Sequence, residues 1–245
     1  MAPVAAPSAR RPTKPVATYS LIGINVAIFV VCLITAGSFD IDYSPLIQHG
    51  ELVRGNVVLG EYWRLLTAGF LHYGLLHVAV NMFSLYVLGR DLEVALGTPR
   101  FVVVYLISLL GGSAAVMLVQ DDMGRSAGAS GAIFGLMGAM LVVVLRLRIS
   151  PTPVLVTIGF NLIMSFSLSG ISLPAHIGGL IFGAAATAGL IYAPRLLPAA
   201  SQNEHNANIV GWAAMITLFA VAIAISVTVA LTHTGMVLVY VPPLV

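Results

Sequence analysis

One serine in this sequence has the surroundings of a catalytic nucleophile. Ser130 lies between small residues in the stretch Gly128-Ala129-Ser130-Gly131, at the mouth of an apolar segment. A second apolar segment carries His176 at a matching depth. A serine hydroxyl attacks a carbonyl carbon only if a base removes its proton, and histidine is the usual base because it titrates near neutral pH. The pair therefore predicts nucleophilic acyl chemistry, with Ser130 as nucleophile and His176 as base.

A third apolar segment carries two side chains that can stabilise the intermediate of such a reaction. His77 and Asn81 are four residues apart, so a helix places them on one face. Both can donate hydrogen bonds to the oxyanion of a tetrahedral intermediate, a contribution often worth about 3 kcal/mol per donor. Together with the backbone N–H of Ser130, they predict an oxyanion hole with three donors.

The positions of the acidic residues argue against a catalytic triad with a buried carboxylate as its third member. All nine Asp and Glu residues lie in predicted loops or at helix ends. We therefore predict a Ser-His dyad whose imidazole is oriented by packing, and Phe134, one turn below Ser130, is the expected stacking partner of His176. Polar residues between Ser165 and Ser169 are expected to form an outer loop that caps the site.

Two other interpretations of these polar residues compete with catalysis. Intramembrane histidines also serve proton relays and metal sites. Zinc requires three or four ligands, and the sequence has no HExxH motif or second histidine pair on a helix, so we predict neither a metal nor a cofactor. A transporter would show internal repeats and polar residues at several depths, which this sequence lacks.

The composition requires a membrane to surround these residues. The chain of 245 residues is 59% hydrophobic and 8% charged, and a soluble domain has roughly 25% charged residues. Continuous apolar runs long enough for membrane helices predict seven spans, two of them short. They lie near residues 18–37, 74–89, 101–120, 130–147, 152–168, 173–192 and 209–231. The predicted fold class is an all-α polytopic membrane protein, with a six-helix core and one additional C-terminal transmembrane helix.

The basic residues predict the orientation of these spans. With a cytoplasmic N-terminus, eight of the eleven Lys and Arg residues lie on the inner side, as the positive-inside rule requires. The C-terminus is then external, and the short loops favour a bacterial plasma membrane. A cleavable signal peptide is the alternative for the N-terminal segment, but its apolar stretch is long and no A-x-A site follows it. The basic residues form no single patch, so nucleic acid is not an expected partner.

This topology divides the chain into five parts. They are a cytoplasmic tail over 1–17, a core over 18–192 with a long outer loop over 38–73, a polar linker over 193–208, a seventh helix over 209–231 and an external tail over 232–245. Glycines spaced four apart in the fourth and sixth spans predict close contact between these two helices. That contact is expected to bring Ser130 within hydrogen-bond range of His176.

Four motifs, in order over about residues 60–190, resemble those of the rhomboid intramembrane serine proteases. They are Trp63-Arg64 in the outer loop, His77-x-x-x-Asn81, Gly128-Ala129-Ser130-Gly131, and Ala175-His176-x-x-Gly179-x-x-x-Gly183. The resemblance implies the roles given above for Ser130, His176, His77 and Asn81. It further implies that His72 and Glu93 support the framework, and that Phe134 holds the place of an aromatic ring under the base.

The resemblance also implies the substrates and the surroundings. Members of this family cleave transmembrane proteins within the lipid bilayer, near its outer face. The runner-up interpretation is a catalytically inactive relative that only binds transmembrane helices. Such relatives usually lack the serine or the base, and both are present in this sequence.

Overall fold

The computed structural model describes residues 14–38, 40–167, 170–198 and 203–239, with side chains up to residue 233. Most of this part of the chain is helical. The helices are α1 (Val16–Ala36), α2 (Pro45–Gly50), α3 (Arg54–Val58), α4 (Arg64–Thr67), α5 (Leu75–Leu96), α6 (Thr98–Val119), α7 (Ser130–Arg146), α8 (Thr152–Ser167), α9 (Leu173–Tyr192) and α10 (Glu204–Val239). Single 3-10 turns lie at Ile41–Tyr43, Ala68–Phe70 and Ala193–Leu196. Two short strands, β1 (Leu52–Val53) and β2 (Arg125–Ser126), pair with each other.

The seven longest helices lie over the seven predicted apolar runs. Within the described residues, α1, α6, α9 with its following turn, and α10 are long and apolar enough to cross a membrane. A fifth span results if Arg64–Phe70 and α5, which meet at an angle of 91°, are taken together. Helices α7 and α8 are apolar but have only 17 and 16 residues, or about 25 Å. The chain is thus an all-α polytopic membrane protein, and its seven crossings remain a prediction.

The segment between α1 and α5 is folded into short helices, turns and a strand. Strand β1 pairs antiparallel with β2, so that Leu52 is opposite Ser126 and Val53 is opposite Arg125. The N–H of Gly55 donates to the carbonyl oxygen of Asp122 at 3.0 Å. The outer segment is therefore attached to the residues that lead into α7.

Helices α7 and α9 contact each other through their backbones. A Cβ atom on Gly179 would overlap the carbonyl oxygen of Gly131, and a Cβ atom on Gly183 would overlap that of Gly135. Only a residue without a side chain permits this approach, which is the packing that small residues spaced four apart provide in membranes. The contact sets the distance between the first turns of the two helices.

Helix α8 lies at the edge of the bundle, where it packs on α7 and α9. Of its sixteen residues, only Ile158 and Ser165 are buried. Its outer face carries exposed apolar side chains, among them Phe160 and Phe166. This surface suits contact with lipid, since more than half of the residues of α8 are exposed.

Helix α10 packs against α6 and α9. Near its start, the Arg100 side chain donates to the Asn208 amide oxygen at 2.8 Å. The helix extends beyond the predicted span at both ends, so residues 232–239, expected in an external tail, are helical. Most of the predicted N-terminal tail, and residues 240–245, lie outside the described residues.

Candidate active site

Ser130 and His176 face each other across the contact between α7 and α9. Ser130 is the first residue of α7, and His176 lies in the first turn of α9. The Ser130 Oγ atom is 2.7 Å from His176 Nε2, which is within hydrogen-bond distance. The histidine is buried, with 5% of its surface exposed. A hydroxyl and an imidazole at this distance can exchange a proton.

The Phe134 ring stacks on the His176 imidazole. The ring centroids are 4.1 Å apart and the planes meet at 15°. Phe134 is four residues after Ser130, so it occupies the same face of α7 one turn further along. The stacking fixes the plane of the imidazole and leaves both ring nitrogens free to bond at its edges.

The second nitrogen of His176 contacts a serine near the end of α8. Ser165 Oγ lies 2.7 Å from His176 Nδ1. The prediction of an outer loop over Ser165 to Ser169 is wrong for Ser165, which belongs to the last turn of α8, inside the predicted span over 152–168, and is buried. Ser169 lies outside the described residues. The span over 152–168 does predict a polar residue on a membrane helix at this position, but nothing in the sequence indicates that Ser165 faces His176.

His77 and Asn81 lie on α5 and face the residue pair before Ser130. Gly128 has a φ of 131°, a conformation that favours glycine. A Cβ atom at this position would be 2.8 Å from His77 Nε2 and 3.6 Å from Asn81 Nδ2. The side chains therefore border the backbone that leads to the nucleophile, and a larger residue at position 128 would displace them.

His77 and Asn81 can each donate a hydrogen bond toward the backbone at Gly128. Asn81 Nδ2 is buried and, within the described part of the chain, has no hydrogen-bond partner. His77 Nδ1 accepts a hydrogen bond from the N–H of Tyr73 at 3.4 Å, so the proton of a neutral imidazole is on Nε2. An unpaired buried donor is costly unless a ligand satisfies it. Two donors thus converge beside Gly128, two residues before Ser130.

The loop before Ser130 is held by the outer segment. The N–H of Gly128 donates to the carbonyl oxygen of Ala68 at 2.9 Å. The N–H of Ala129 donates to His72 Nε2 at 3.5 Å, and the His72 side chain is buried. The ring of His72 meets that of His77 edge to face, with centroids 5.0 Å apart. His72 thus contacts both the nucleophile loop and a predicted oxyanion donor.

Trp63 and Arg64 bond within the outer segment. The buried Arg64 side chain pairs with Glu61 and donates to the carbonyl oxygen of Glu51 at 2.7 Å. The exposed Trp63 donates through its indole nitrogen to the carbonyl oxygen of His49 at 2.9 Å. Both residues therefore stabilise the segment that carries the site.

A cluster of charges joins the outer segment to β2. Arg125 pairs with Asp42 at 3.0 Å and with the buried Glu51 at 2.8 Å, and the same glutamate accepts from the Tyr73 hydroxyl at 2.8 Å. Hydrogen bonds to Asp42 and Glu51 raise the pKa of Arg125 above its ordinary value. The guanidinium stays charged and links the two parts of the loop region that border the site.

Glu93 lies far from these residues. It follows His77 by sixteen positions on α5, which is about 24 Å along the helix. The fully buried carboxylate accepts from the N–H groups of Ala17 and Thr18 and from the hydroxyls of Thr18 and Thr98, at 2.8 to 2.9 Å. Glu93 therefore joins α1, α5 and α6 at the opposite end of the bundle.

A small cavity lies behind the start of α7, with Gly128 and Gly131 in its walls. Its volume is about 20 Å³, and its walls include Gly69, Ser113, Ser126 and Ala175. A space of this size holds about one water molecule or a methyl group. Among the described residues, no group of three or more His, Cys, Asp or Glu side chains is arranged to hold a metal ion.

Comparison with known proteins gives matches over the region that contains these residues. The family model of the rhomboid domain matches residues 59–193. The rhomboid protease GluP of Bacillus subtilis (strain 168) is 39% identical over 182 residues, covering 72% of this chain and 35% of GluP. The putative rhomboid protease YdcA of the same organism is 36% identical over 153 residues, 59% of this chain and 77% of YdcA.

A more distant match extends over most of both chains. The rhomboid protease AarA of Providencia stuartii is 28% identical over 212 residues, 75% of each protein. Against GluP and two RHOMBOID-like proteins of Arabidopsis thaliana, this chain spans between 35% and 48% of the relative's length.

Proposed function

Since this chain belongs to the rhomboid family, we propose that it is a serine endopeptidase that hydrolyses peptide bonds in or near transmembrane segments of membrane proteins. The observation that carries the proposal is the 2.7 Å distance between the Oγ atom of the half-buried Ser130 and Nε2 of the buried His176. A serine and a histidine at this distance are the minimal machinery of nucleophilic acyl transfer.

The first half of the proposed reaction forms an acyl-enzyme. Ser130 Oγ attacks the carbonyl carbon of the substrate peptide while its proton moves to His176 Nε2. The tetrahedral intermediate then collapses, the C–N bond breaks, and His176 gives the proton to the leaving amine nitrogen. In the second half, a water oxygen attacks the acyl carbon while one of its protons moves to His176 Nε2. The bond between that carbon and Ser130 Oγ then breaks, His176 returns the proton to Oγ, and the carboxylic acid product leaves.

His77, Asn81 and the backbone N–H of Ser130 serve as the oxyanion donors. The support for this role is that Asn81 Nδ2, which has no hydrogen-bond partner among the described residues, and His77 Nε2 both border Gly128. Donors held in place before the reaction stabilise the charge without reorganisation, which is why such groups are effective. His72 is not a proposed oxyanion donor; it accepts a hydrogen bond from the N–H of Ala129 and so holds the residue before Ser130.

The substrate is proposed to enter between α5 and α8. Helix α8 has two buried residues, and the first turn of α5 carries the exposed Leu75 and Leu76. A helical peptide bond is shielded by its own hydrogen bonds, so the substrate must be extended before attack.

The proposed topology places this site near the outer face of the membrane. Ser130, His176 and His77 all lie in the first turns of helices that enter from the outside if the N-terminus is cytoplasmic. The lipid bilayer and transmembrane proteins are the proposed partners, the proposed location is a bacterial plasma membrane, and no cofactor takes part in the mechanism.

The test is cleavage of a single-span substrate by the purified protein in liposomes. We expect the unmodified protein to cleave, and Ser130→Ala and His176→Ala to be inactive. Ser226→Ala, which removes a buried serine on α10, and His205→Ala, which removes an exposed histidine, are the matched controls and should remain active. Binding without cleavage by the unmodified protein, over several substrates, would favour an inactive helix-binding relative.

A further inference from the structure

A second serine contacts the proposed base on the side away from the nucleophile. Ser165 Oγ is 2.7 Å from His176 Nδ1, and both residues are 5% exposed. The same oxygen is 2.6 Å from the carbonyl oxygen of Asn161, one turn earlier on α8. Ser130, His176, Ser165 and Asn161 thus form a continuous chain of hydrogen bonds.

The single hydroxyl proton of Ser165 determines the direction of this chain. Two oxygens 2.6 Å apart require a proton between them, so Ser165 donates to the Asn161 carbonyl. A hydroxyl has one proton and two lone pairs, so its contact with His176 Nδ1 uses a lone pair. Nδ1 must therefore carry the imidazole proton and donate it to Ser165.

This assignment decides the state of the other ring nitrogen. In a neutral imidazole, one nitrogen is a donor and the other an acceptor, and the partner of one sets the state of the other. With the proton on Nδ1, Nε2 presents its lone pair to the Ser130 hydroxyl at 2.7 Å. That is the tautomer in which His176 can accept the proton of Ser130.

We propose that Ser165 is a positioning residue that holds His176 in the tautomer protonated on Nδ1. The predicted effect of Ser165 on cleavage rests on the proposed function. The tautomer of His176 can be measured whether or not the protein is an active protease. Because Ser165 is one of the two buried residues of α8, it is also the point at which this edge helix contributes to the dyad.

The substitutions Ser165→Thr and Ser165→Val separate the effect of the hydroxyl group from the effect of side-chain size. Threonine and valine have nearly the same shape, and a helical threonine can still donate to the carbonyl four residues earlier. We expect kcat of Ser165→Val to be about 10- to 100-fold below that of Ser165→Thr, with KM values within about twofold, since the valine leaves Nδ1–H unsatisfied. Equal kcat values would overturn the proposal.

A control removes a similar hydrogen bond from the same helix. Thr157 is exposed and donates to the carbonyl oxygen of Pro153 at 2.9 Å. Thr157→Val should leave kcat unchanged. A loss of kcat in Thr157→Val as large as that in Ser165→Val would assign the effect to α8 as a whole and contradict the role of Ser165.

A spectroscopic measurement tests the tautomer without any substrate. The protein, labelled with 15N-histidine, is studied in the Ser130→Ala background so that Ser165 is the remaining side-chain partner of the ring, and His176→Ala identifies the resonances. We expect a protonated Nδ1 with Ser165 or Ser165→Thr, and a protonated Nε2 to increase in Ser165→Val. A protonated Nε2 in the presence of Ser165 would refute the proposal, even if the protein proves to have no protease activity.

Discussion

The buried Glu93 carboxylate should contribute strongly to the stability of the bundle and little to its chemistry. Its two oxygens accept four hydrogen bonds. One oxygen accepts from Ala17 N and Thr98 Oγ1, and the other accepts from Thr18 N and Thr18 Oγ1. In Glu93→Gln, one of these oxygens becomes an NH2 group that faces donors. The substitution thus removes at least one hydrogen bond to a charged acceptor and leaves donors unsatisfied.

The expected cost in free energy of unfolding is about 3 kcal/mol, since hydrogen bonds to charged groups contribute roughly 1.5–3 kcal/mol each. For a chain of this size, that corresponds to a fall in Tm of about 6–12 °C. The assay is thermal unfolding in detergent micelles, with Asp91→Asn as the control because Asp91 is exposed on the same turn of α5.

Cleavage measured below the unfolding transition provides the second part of this test. Because Glu93 lies about 24 Å along α5 from His77, kcat of the folded variant should stay within about twofold of the unmodified protein. A Tm no lower than that of Asp91→Asn would refute the argument about hydrogen bonds. A normal Tm with lost activity would refute the claim that Glu93 does not act on the catalytic residues.

The remaining predictions concern the oxyanion donors and the helix contact. Asn81→Ala should lower kcat about 100- to 1,000-fold with little change in KM, because the lost donor acts on the oxyanion; a change confined to KM in cleavage assays would contradict this role. Gly179→Ala should lower both Tm and kcat, because its Cβ would overlap the backbone of α7 and separate Ser130 from His176. Gly159→Ala is the control, since its Cβ would contact nothing within 4 Å; equal effects of the two would contradict the packing argument.

The helices could be predicted because each apolar run has to satisfy its own backbone hydrogen bonds in lipid. Their ends were harder to predict. Helix α5 continues to Leu96, beyond the expected end near residue 89, and stops only at Gly97. The charged Glu93 can be buried in this last part of the helix because its carboxylate accepts hydrogen bonds. Hydropathy cannot show that a carboxylate has four donors around it.

The predicted site residues could be selected because ionisable and amide side chains are rare at membrane depth. His77, Asn81 and His176 satisfy that criterion in sequence alone. Ser165 does not, because a helical serine can bond to its own backbone and is common in membrane helices. Its contact with His176 depends on how α8 packs against α9, which is a tertiary contact that the hydropathy pattern does not specify.

For the outer segment between α1 and α5, the sequence predicts short elements at the membrane interface but not their contacts. Tyr62, Trp63 and the glycines near them indicate short elements at the membrane interface. The pairing of β1 with β2 joins residues more than seventy positions apart, and strands of two residues carry no periodic pattern. The attachment of the nucleophile loop to Ala68 and His72 is likewise a tertiary contact without a local signal.

The most direct test of the account is whether Ser130 is an activated nucleophile. The purified protein is treated with a fluorophosphonate probe in detergent, and the labelled peptide is identified by mass spectrometry. The account predicts modification of Ser130, its absence in Ser130→Ala, and a strong decrease in His176→Ala, with Ser226→Ala labelled normally. Labelling that persists at another serine in Ser130→Ala, or that is unaffected in His176→Ala, would contradict the proposed dyad.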